Sequence, residues 1–542
     1  MAEHRFPLGA PAAGAVLALV AALGPAQAQA APQDADAGAG GAGATAAGTA
    51  APATSGSAAS ALSTTGLPSS RFVPGPCPKT PAPIEALATA RCGYLEVPEN
   101  RARPDGRTIR LAVAVIPAKA AEPAPDPVVF MAGGPGGETF DDIPYLVSSG
   151  LNRDRDLIVM AQRGNRYDQP GLACPELDRF YAESVGLPSY APGTERLMLA
   201  AAKRCHDRLT AAGIDLAAYN STENAADFAD LRTALGLGQW NVYGHSYGSN
   251  LALTYLRLHP RGIRAVAVDS IAPAQSVSLP FAWAGAREGL DNLYRACAAE
   301  PTCHERYPNL ERTLNEQVRK LEERPLTLDV TPPGGKAPVK VVLDGGALVN
   351  LLVAKAVPFA EVPAAIDELA RGRPERFARA RAAGARQAVG ESAHGLTNSV
   401  VCAEWVPGHS ASDVLDAGRR AFPDWPRQVQ AQAPQLAFQE QVCRIWNVPD
   451  RTAEQRVAPA GSVPVLFLNG TFDMKTGASW AQKTARMLPH ATTVRFPGIG
   501  HWTVPQSPCA QKVLASFLAR PSAPDTGCVA DLKWEPFTIT PK

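Results

Sequence analysis

The chain has 542 residues, of which 46% are hydrophobic, so it can bury a sizeable core and hold one large domain with an insertion or two to three average ones. Lys and Arg number 52 against 51 Asp and Glu, a formal net charge of +1. There is no basic excess to hold nucleic acid or an anionic membrane, so neither is expected as a partner.

In chain order, the first stretch is not expected to join the fold. His4 and Arg5 precede an apolar run over 12–23, and Ala26-Gln27-Ala28 offers a small-residue cleavage site. That layout predicts a secretory signal peptide over 1–28, the run being too short to span a membrane. Residues 29–70 are almost wholly Ala, Gly, Ser, Thr and Pro. They cannot bury enough surface to offset their ordering entropy, which predicts a disordered linker.

From Cys92 the pattern turns to strands. Runs over 93–98 and 108–116 read as antiparallel entry strands, and 127–131 and 156–160 as short apolar runs of buried parallel type. Helical periodicity covers 194–212 and 221–235. A strand at 239–243, a helix over 250–256 and a strand at 263–268 follow. This alternation predicts an α/β chain with a doubly wound, mostly parallel sheet. It stops between 273 and 462, where the pattern is mostly helical without clear parallel strands, and an insertion so placed is expected to cap the site. Strands at 463–468 and 492–496 and a helix at 510–518 complete the core. The expected organisation is therefore core 71–272, cap 273–462 and core again 463–542.

Ten cysteines in a chain expected to be exported imply disulfides. Short loops between consecutive cysteines favour Cys77–Cys92, Cys174–Cys205, Cys297–Cys303, Cys402–Cys443 and Cys509–Cys528. No His/Cys cluster has zinc spacing.

The chemistry centres on Gly244-His245-Ser246-Tyr247-Gly248, lying between a strand and a helix. A strand, a Gly-x-Ser-x-Gly turn and a helix make a nucleophile elbow, which exposes the serine hydroxyl at the carboxyl end of a sheet. Such a serine needs a base, and the base a carboxylate, in the chain order Ser, Asp, His. Asp473 follows the strand at 463–468, and His501 follows the strand at 492–496. Both loops are expected on the sheet edge that carries Ser246. Asp269 also ends a strand and is the alternative acid. His245 cannot easily reach its neighbour and is read as structural or pocket-lining. Ala132-Gly133-Gly134-Pro135-Gly136-Gly137, directly after a strand, suits an oxyanion hole built from the Gly134 amide with that of Tyr247. The fold class this implies is an α/β-hydrolase with a large helical cap, working without metal or cofactor.

Gly133-Gly134-Pro135-Gly136, Gln162-Arg163-Gly164, the serine pentapeptide, Asp473 and Gly500-His501 together resemble the proline iminopeptidase and tripeptidyl aminopeptidase branch of the α/β-hydrolases. The tail around Cys509 and Cys528 is similar to the C-terminal region of exported tripeptidyl aminopeptidases. Ala132 and Ala161 stand where iminopeptidases usually carry His and Asp, and Gly164-Asn165-Arg166-Tyr167 lacks the usual second Gly and Ser. These departures weigh against strict proline specificity. The resemblance implies an exported serine exopeptidase, periplasmic or extracellular, acting on peptides with a free N-terminus and without stable membrane association. It also implies carboxylates that hold the substrate's α-ammonium, with Glu404 as the first candidate and Glu138 as the second. The alternative is an esterase or amidase acting on a small non-peptide acyl group, since the same machinery serves both.

Overall fold

The apolar runs of the sequence become one sheet because each is too uniformly hydrophobic to leave either face in water. The computed structural model describes residues 70–386, 390 and 392–540; the expected signal peptide and all but the last residue of the expected linker lie outside them. Strands β1 (Arg71–Pro74), β2 (Arg91–Pro98), β3 (Thr108–Ile116), β4 (Val128–Met131), β5 (Leu157–Met160), β6 (Trp240–His245) and β7 (Ile263–Asp269) come first. A separate pair, β8 (Leu326–Val330) and β9 (Val339–Leu343), follows, and then β10 (Val465–Gly470) and β11 (Ala491–Phe496). The main sheet runs β1-β2-β3-β5-β4-β6-β7-β10-β11. Its entry strands β1, β2, β3 and β5 pair antiparallel, and every pairing from β5 to β11 is parallel.

Every residue of β4, β5, β6 and β10 is buried. Alternate side chains serve opposite faces, as the period of two demands. Val129, Met131, Val242, Val266 and Phe467 enter one core, and Val128, Phe130, Tyr243, Ala267 and Leu468 enter the other. Helices cover both faces, the arrangement that parallel strands require. The edge strand β11 is only half buried, and its sequence alternates accordingly.

The chain passes from β4 to β5 on one side, then returns across β4 to β6 on the other. This is a topological switch point, and the crevice beyond the carboxyl ends of such strands is where ligands bind in open α/β sheets. The register aligns those ends: Met131 lies opposite Gly244, His245 opposite Asp269, and Gly470 opposite Phe496. The loops that follow β4, β6, β10 and β11 therefore leave one edge of the sheet.

Between β7 and β10 the chain is mostly helical, beginning with the long helix Leu279–Ala299. The sequence reading did not anticipate the antiparallel hairpin β8–β9 in this stretch. Its alternating Leu326-Thr327-Leu328-Asp329-Val330 carries a period of two that the helical surroundings obscure. Two helices of the first part, Ile143–Ser148 and Pro175–Ser184, also went unread. Among the described residues no helix is long and apolar enough to cross a membrane.

All five disulfides form in the sequential pattern. Each joins neighbouring elements; Cys174–Cys205, for instance, ties the helix Pro175–Ser184 to Pro192–Ala211. Cys402–Cys443 closes the longest loop, with a sequence separation of 41, and loss of that bridge is expected to lower stability by about 4 kcal/mol in the chain-entropy picture. Equilibrium unfolding of a Cys402→Ser/Cys443→Ser variant measures this directly. Peptide mapping without reduction should return the five sequential pairs, and a bridge from Cys402 or Cys443 to Cys509 or Cys528 would contradict the scheme.

Candidate active site

The turn at Ser246 begins the construction. Ser246 adopts φ 56° and ψ −122°, a positive φ that costs a non-glycine residue strain and persists only where surrounding structure enforces it. Two glycines make the enforcement possible. A Cβ on Gly244 would stand 2.2 Å from the carbonyl of Gly248, and one on Gly248 would stand 1.9 Å from that of Met131. The helix Tyr247–Leu258 thus crosses β6 and β4 at backbone distance, with its free N-terminal amides beneath the serine. The loop after β4 closes in from the other side, since a Cβ on Gly133 would lie 3.0 Å from the Ser246 Cβ. Gln162, just beyond β5, donates from Nε2 to the Ala132 carbonyl at 2.8 Å and holds that loop. Its neighbour Arg163 is fully buried and forms a paired contact to Asp227 at 2.8 Å through both Nε and Nη2.

The acid and histidine loops are bound to each other. Phe472 N–H donates to the Ile499 carbonyl, Gly498 N–H donates to Thr471 Oγ1, and a Cβ on Gly470 would meet the Ile499 carbonyl at 2.2 Å. His501 Nδ1 consequently lies 2.8 Å from Asp473 Oδ2. The other oxygen of Asp473 accepts the N–H groups of Lys475 and Thr476, both at 2.9 Å, while the Thr476 hydroxyl donates to Oδ2 at 2.6 Å. Burial works to raise the Asp473 pKa, but His501 and Thr476 outweigh it and hold the carboxyl below its usual range. An ionised Asp473 accepts a hydrogen bond from Nδ1–H and leaves Nε2 as the basic nitrogen.

Asp269 is engaged elsewhere. It is fully buried and takes the N–H groups of Thr503 and Val504 and the hydroxyl of Tyr243, capping the short helix after His501. Its contacts fix the histidine loop from below. His245 stacks on Trp502, with ring centroids 4.5 Å apart. Burial first, then the charges of His501 and Lys475, push the His245 pKa far down, so it is neutral.

Gly133, Gly134, Ser246, Tyr247, Thr476 and His501 line one cavity of about 420 Å³. The expected residues Ser246, His501, Gly134, Tyr247 and Glu138 therefore meet there, with Asp473 directly behind His501. Glu404 does not. It sits on a π-helical turn, is 2% exposed, and binds the N–H and hydroxyl of Ser221 at 2.7 Å through its two oxygens. Ser221 in turn contacts the Tyr247 hydroxyl at 2.9 Å, so Glu404 buttresses the elbow from behind while its neighbour Trp405 faces the cavity.

Glu138 lies on the cavity wall with one oxygen on Phe140 N–H and the other on Arg166 N–H. Burial dominates these bonds and pushes its pKa up to about 7. Asp142 lines the same wall, and the sequence reading missed it. Its carboxylate makes no hydrogen bond or ion pair among the described residues, and burial, then Asp141 and Glu138, push it up to about 8. The signal was present as an acidic run, Glu138 with Asp141-Asp142, directly after the glycine loop. The Asp473-x-x-Thr476 spacing that gives the acid its hydroxyl partner was equally legible.

The helix Leu279–Ala299 rests on the acid loop. Cβ atoms on Gly285 and Gly289 would stand 2.8 Å from the carbonyls of Lys475 and Asp473, and Glu288 accepts the N–H and hydroxyl of Ser479. Gly289→Ala is therefore expected to cost about 1–3 kcal/mol by overpacking. The control Gly238→Ala, where nothing lies within 4 Å, should be close to neutral in the same denaturant titration.

Comparison with known proteins agrees with this architecture. Residues 126–508 match the family described as alpha/beta hydrolase fold. The chain is 24% identical over 498 residues to serine protease Hip1 of Mycobacterium tuberculosis, covering 83% of this chain and 89% of the relative. It is 29% identical over 205 residues to a tripeptidyl aminopeptidase of Streptomyces coelicolor, covering 35% and 36%. A probable proline iminopeptidase of the same organism is 30% identical over 128 residues, covering 23% and 36%. The chain belongs to the α/β-hydrolase fold family, and these three relatives support its place in the peptidase branch.

Proposed function

We propose that this serine peptidase of the α/β-hydrolase type is an exported aminopeptidase that cuts short units from the N-terminus of peptides. Ser246 attacks the scissile carbonyl as His501 Nε2 takes its proton. Asp473, hydrogen-bonded at Nδ1, steadies the imidazolium. The amides of Gly134 and Tyr247 receive the developing oxyanion. His501 then returns its proton to the leaving amine, and water repeats the cycle on the acyl-enzyme. None of these steps draws on a metal or cofactor. Five disulfides support maturation in an oxidising compartment and hence export.

One observation carries the exopeptidase reading: the cavity of Ser246 also presents Glu138 and Asp142, and Asp142 makes no hydrogen bond or ion pair among the described residues. An exopeptidase measures from the substrate's end, and a carboxylate in a water-poor pocket is a direct way to bind an α-ammonium. Glu404, with both oxygens committed to Ser221, supports the elbow instead.

Asp473→Asn should lower turnover by about four orders of magnitude in a folded protein, because the imidazole is then held in the wrong tautomer. Asp269→Asn should act mainly through a lower melting temperature. Abolished turnover in folded Asp269→Asn beside an active Asp473→Asn would move the acid to Asp269.

Acetylating the substrate's amine should reduce kcat/KM at least ~100-fold, given the cost of an unpartnered charge in such a pocket. The free-to-acetylated ratio should climb as pH rises through 7 to 8, where Glu138 and Asp142 ionise, and fall above about 8 as the α-amino group loses its proton. Asp142→Asn should flatten that climb, and Glu404→Gln should not. The sign for stability is opposite. A carboxyl whose pKa is raised on folding makes the native state bind more protons than the unfolded one, so stability declines as pH rises between about 4 and 8. Asp142→Asn should therefore melt higher than the wild type at pH 8, with the gap closing towards pH 4. Equal rates on free and acetylated substrates would favour the esterase.

A further inference from the structure

The wall opposite in charge to Glu138 and Asp142 is made by one residue. Lys475 is the only Lys or Arg among the described residues that line the cavity of Ser246. Its backbone is fixed on two sides, since its N–H donates to Asp473 Oδ1 at 2.9 Å and its carbonyl lies under Gly285 of the helix Leu279–Ala299. Its ammonium is bound by nothing: among the described residues Nζ makes no hydrogen bond and no ion pair, although the side chain is exposed to the cavity. Surrounding protein displaces enough solvent to lower its pKa below the usual lysine value, an effect that Asp473 only partly offsets. Lys475 is thus an exposed cation without a counter-ion among the described residues, carried on a loop of the site itself.

Chemistry fixes the side of the scissile bond it serves. The leaving amine must take its proton from His501, so the released part of the substrate passes along the imidazole. Lys475 follows two residues after the Asp473 that holds that imidazole, on the same loop. Glu138 and Asp142 belong instead to the segment after β4, which carries the Gly133 and Gly134 turn.

We propose that Lys475 binds a carboxylate of the released part of the substrate, close to the cleaved amide, and so selects peptides whose leaving residue carries a negative charge. Two sources supply that chemistry: the C-terminal carboxylate of a one-residue leaving group, and an acidic side chain in the first leaving position. The proposal rests on acyl transfer by Ser246 and His501, but not on how the N-terminus is recognised.

The test uses purified full-length protein and peptides sharing one N-terminal unit. One arm compares a substrate ending in alanine acid with its alanine amide. The other compares glutamate amide with glutamine amide in the same position. The readout is the ratio of kcat/KM within each pair, which cancels any effect of Lys475 on the basicity of His501 or on the fraction of folded enzyme. In the wild type at least one ratio should exceed ~10 in favour of the charged partner, and the arm in which it does so identifies the source. Lys475→Met and Lys475→Gln should bring that ratio close to one, Lys475→Glu should invert it, and Lys475→Arg should keep most of it. Ratios near one in both wild-type arms would overturn the proposal, as would a ratio that survives in folded Lys475→Met or Lys475→Gln. A failure of the underlying chemistry reads differently, as full hydrolysis by Ser246→Ala.

Discussion

The site depends on one close approach, the crossing of the helix Tyr247–Leu258 over the ends of β6 and β4 with no side chain between them. Any Cβ on Gly248 would occupy the position of the Met131 carbonyl, and any Cβ on Gly244 that of the Gly248 carbonyl. Because these backbones touch, the serine at the turn is forced to positive φ, and the same contact brings the loop after β4 against it. Strain at Ser246 and proximity of the Gly133–Gly134 amides are two consequences of one packing constraint. The burial of all of β4 and β6 supplies the free energy that holds it, at roughly 25 cal/mol per Å² of apolar surface removed from water.

A second constraint couples the insertion to the chemistry. Gly285 and Gly289 lie four residues apart and so on one face of their helix, and that face lies on the carbonyls of Lys475 and Asp473. Glu288 holds Ser479, and Asn292 donates to the Thr471 carbonyl at 2.7 Å. The acid loop is thus clamped between the histidine loop on one side and an insertion helix on the other. Glu404 acts comparably at the other end, joining the insertion through Ser221 to Tyr247. The segment that shapes the cavity also stiffens the residues beneath it.

The parts legible in the sequence were those where local pattern and global role coincide. Four-residue runs such as Val128–Met131 and Leu157–Met160 are apolar throughout because they are buried on both faces, and the pentapeptide around Ser246 is glycine-flanked because the backbones touch. Asp473 and His501, read from their position after resumed strands, lie 2.8 Å apart, and the cysteines paired with their neighbours because each closes a loop between adjacent elements. What escaped was side-chain direction in irregular segments. Glu404 stands beside a disulfide and next to a cavity-lining tryptophan, but the π-helical turn points it towards Ser221. Asp142 belongs to a short helical step whose existence no periodicity announced. The hairpin β8–β9 was hidden because one five-residue alternation and one short, mostly apolar run are weak signals inside a long helical stretch.

The cavity's charges give the last step. Asp142 and Lys475 both line it, yet they form no ion pair with each other or with any other described residue. Burial already pushes the Asp142 carboxyl up to about 8, so near neutral pH the free enzyme holds it largely protonated, while Lys475 is an exposed cation of that site. Asp142 ends the short helical step after the glycines 133–137, and Lys475 follows Asp473 on the loop that meets His501. On the two proposals above, a peptide with a free ammonium and a carboxylate in its leaving residue, terminal or side-chain, would supply partners to both groups at once, whereas a neutral ester would supply neither. If those partners arrive only with substrate placed across Ser246, the pairing energy would go into alignment of the scissile bond rather than into the stability of the empty enzyme.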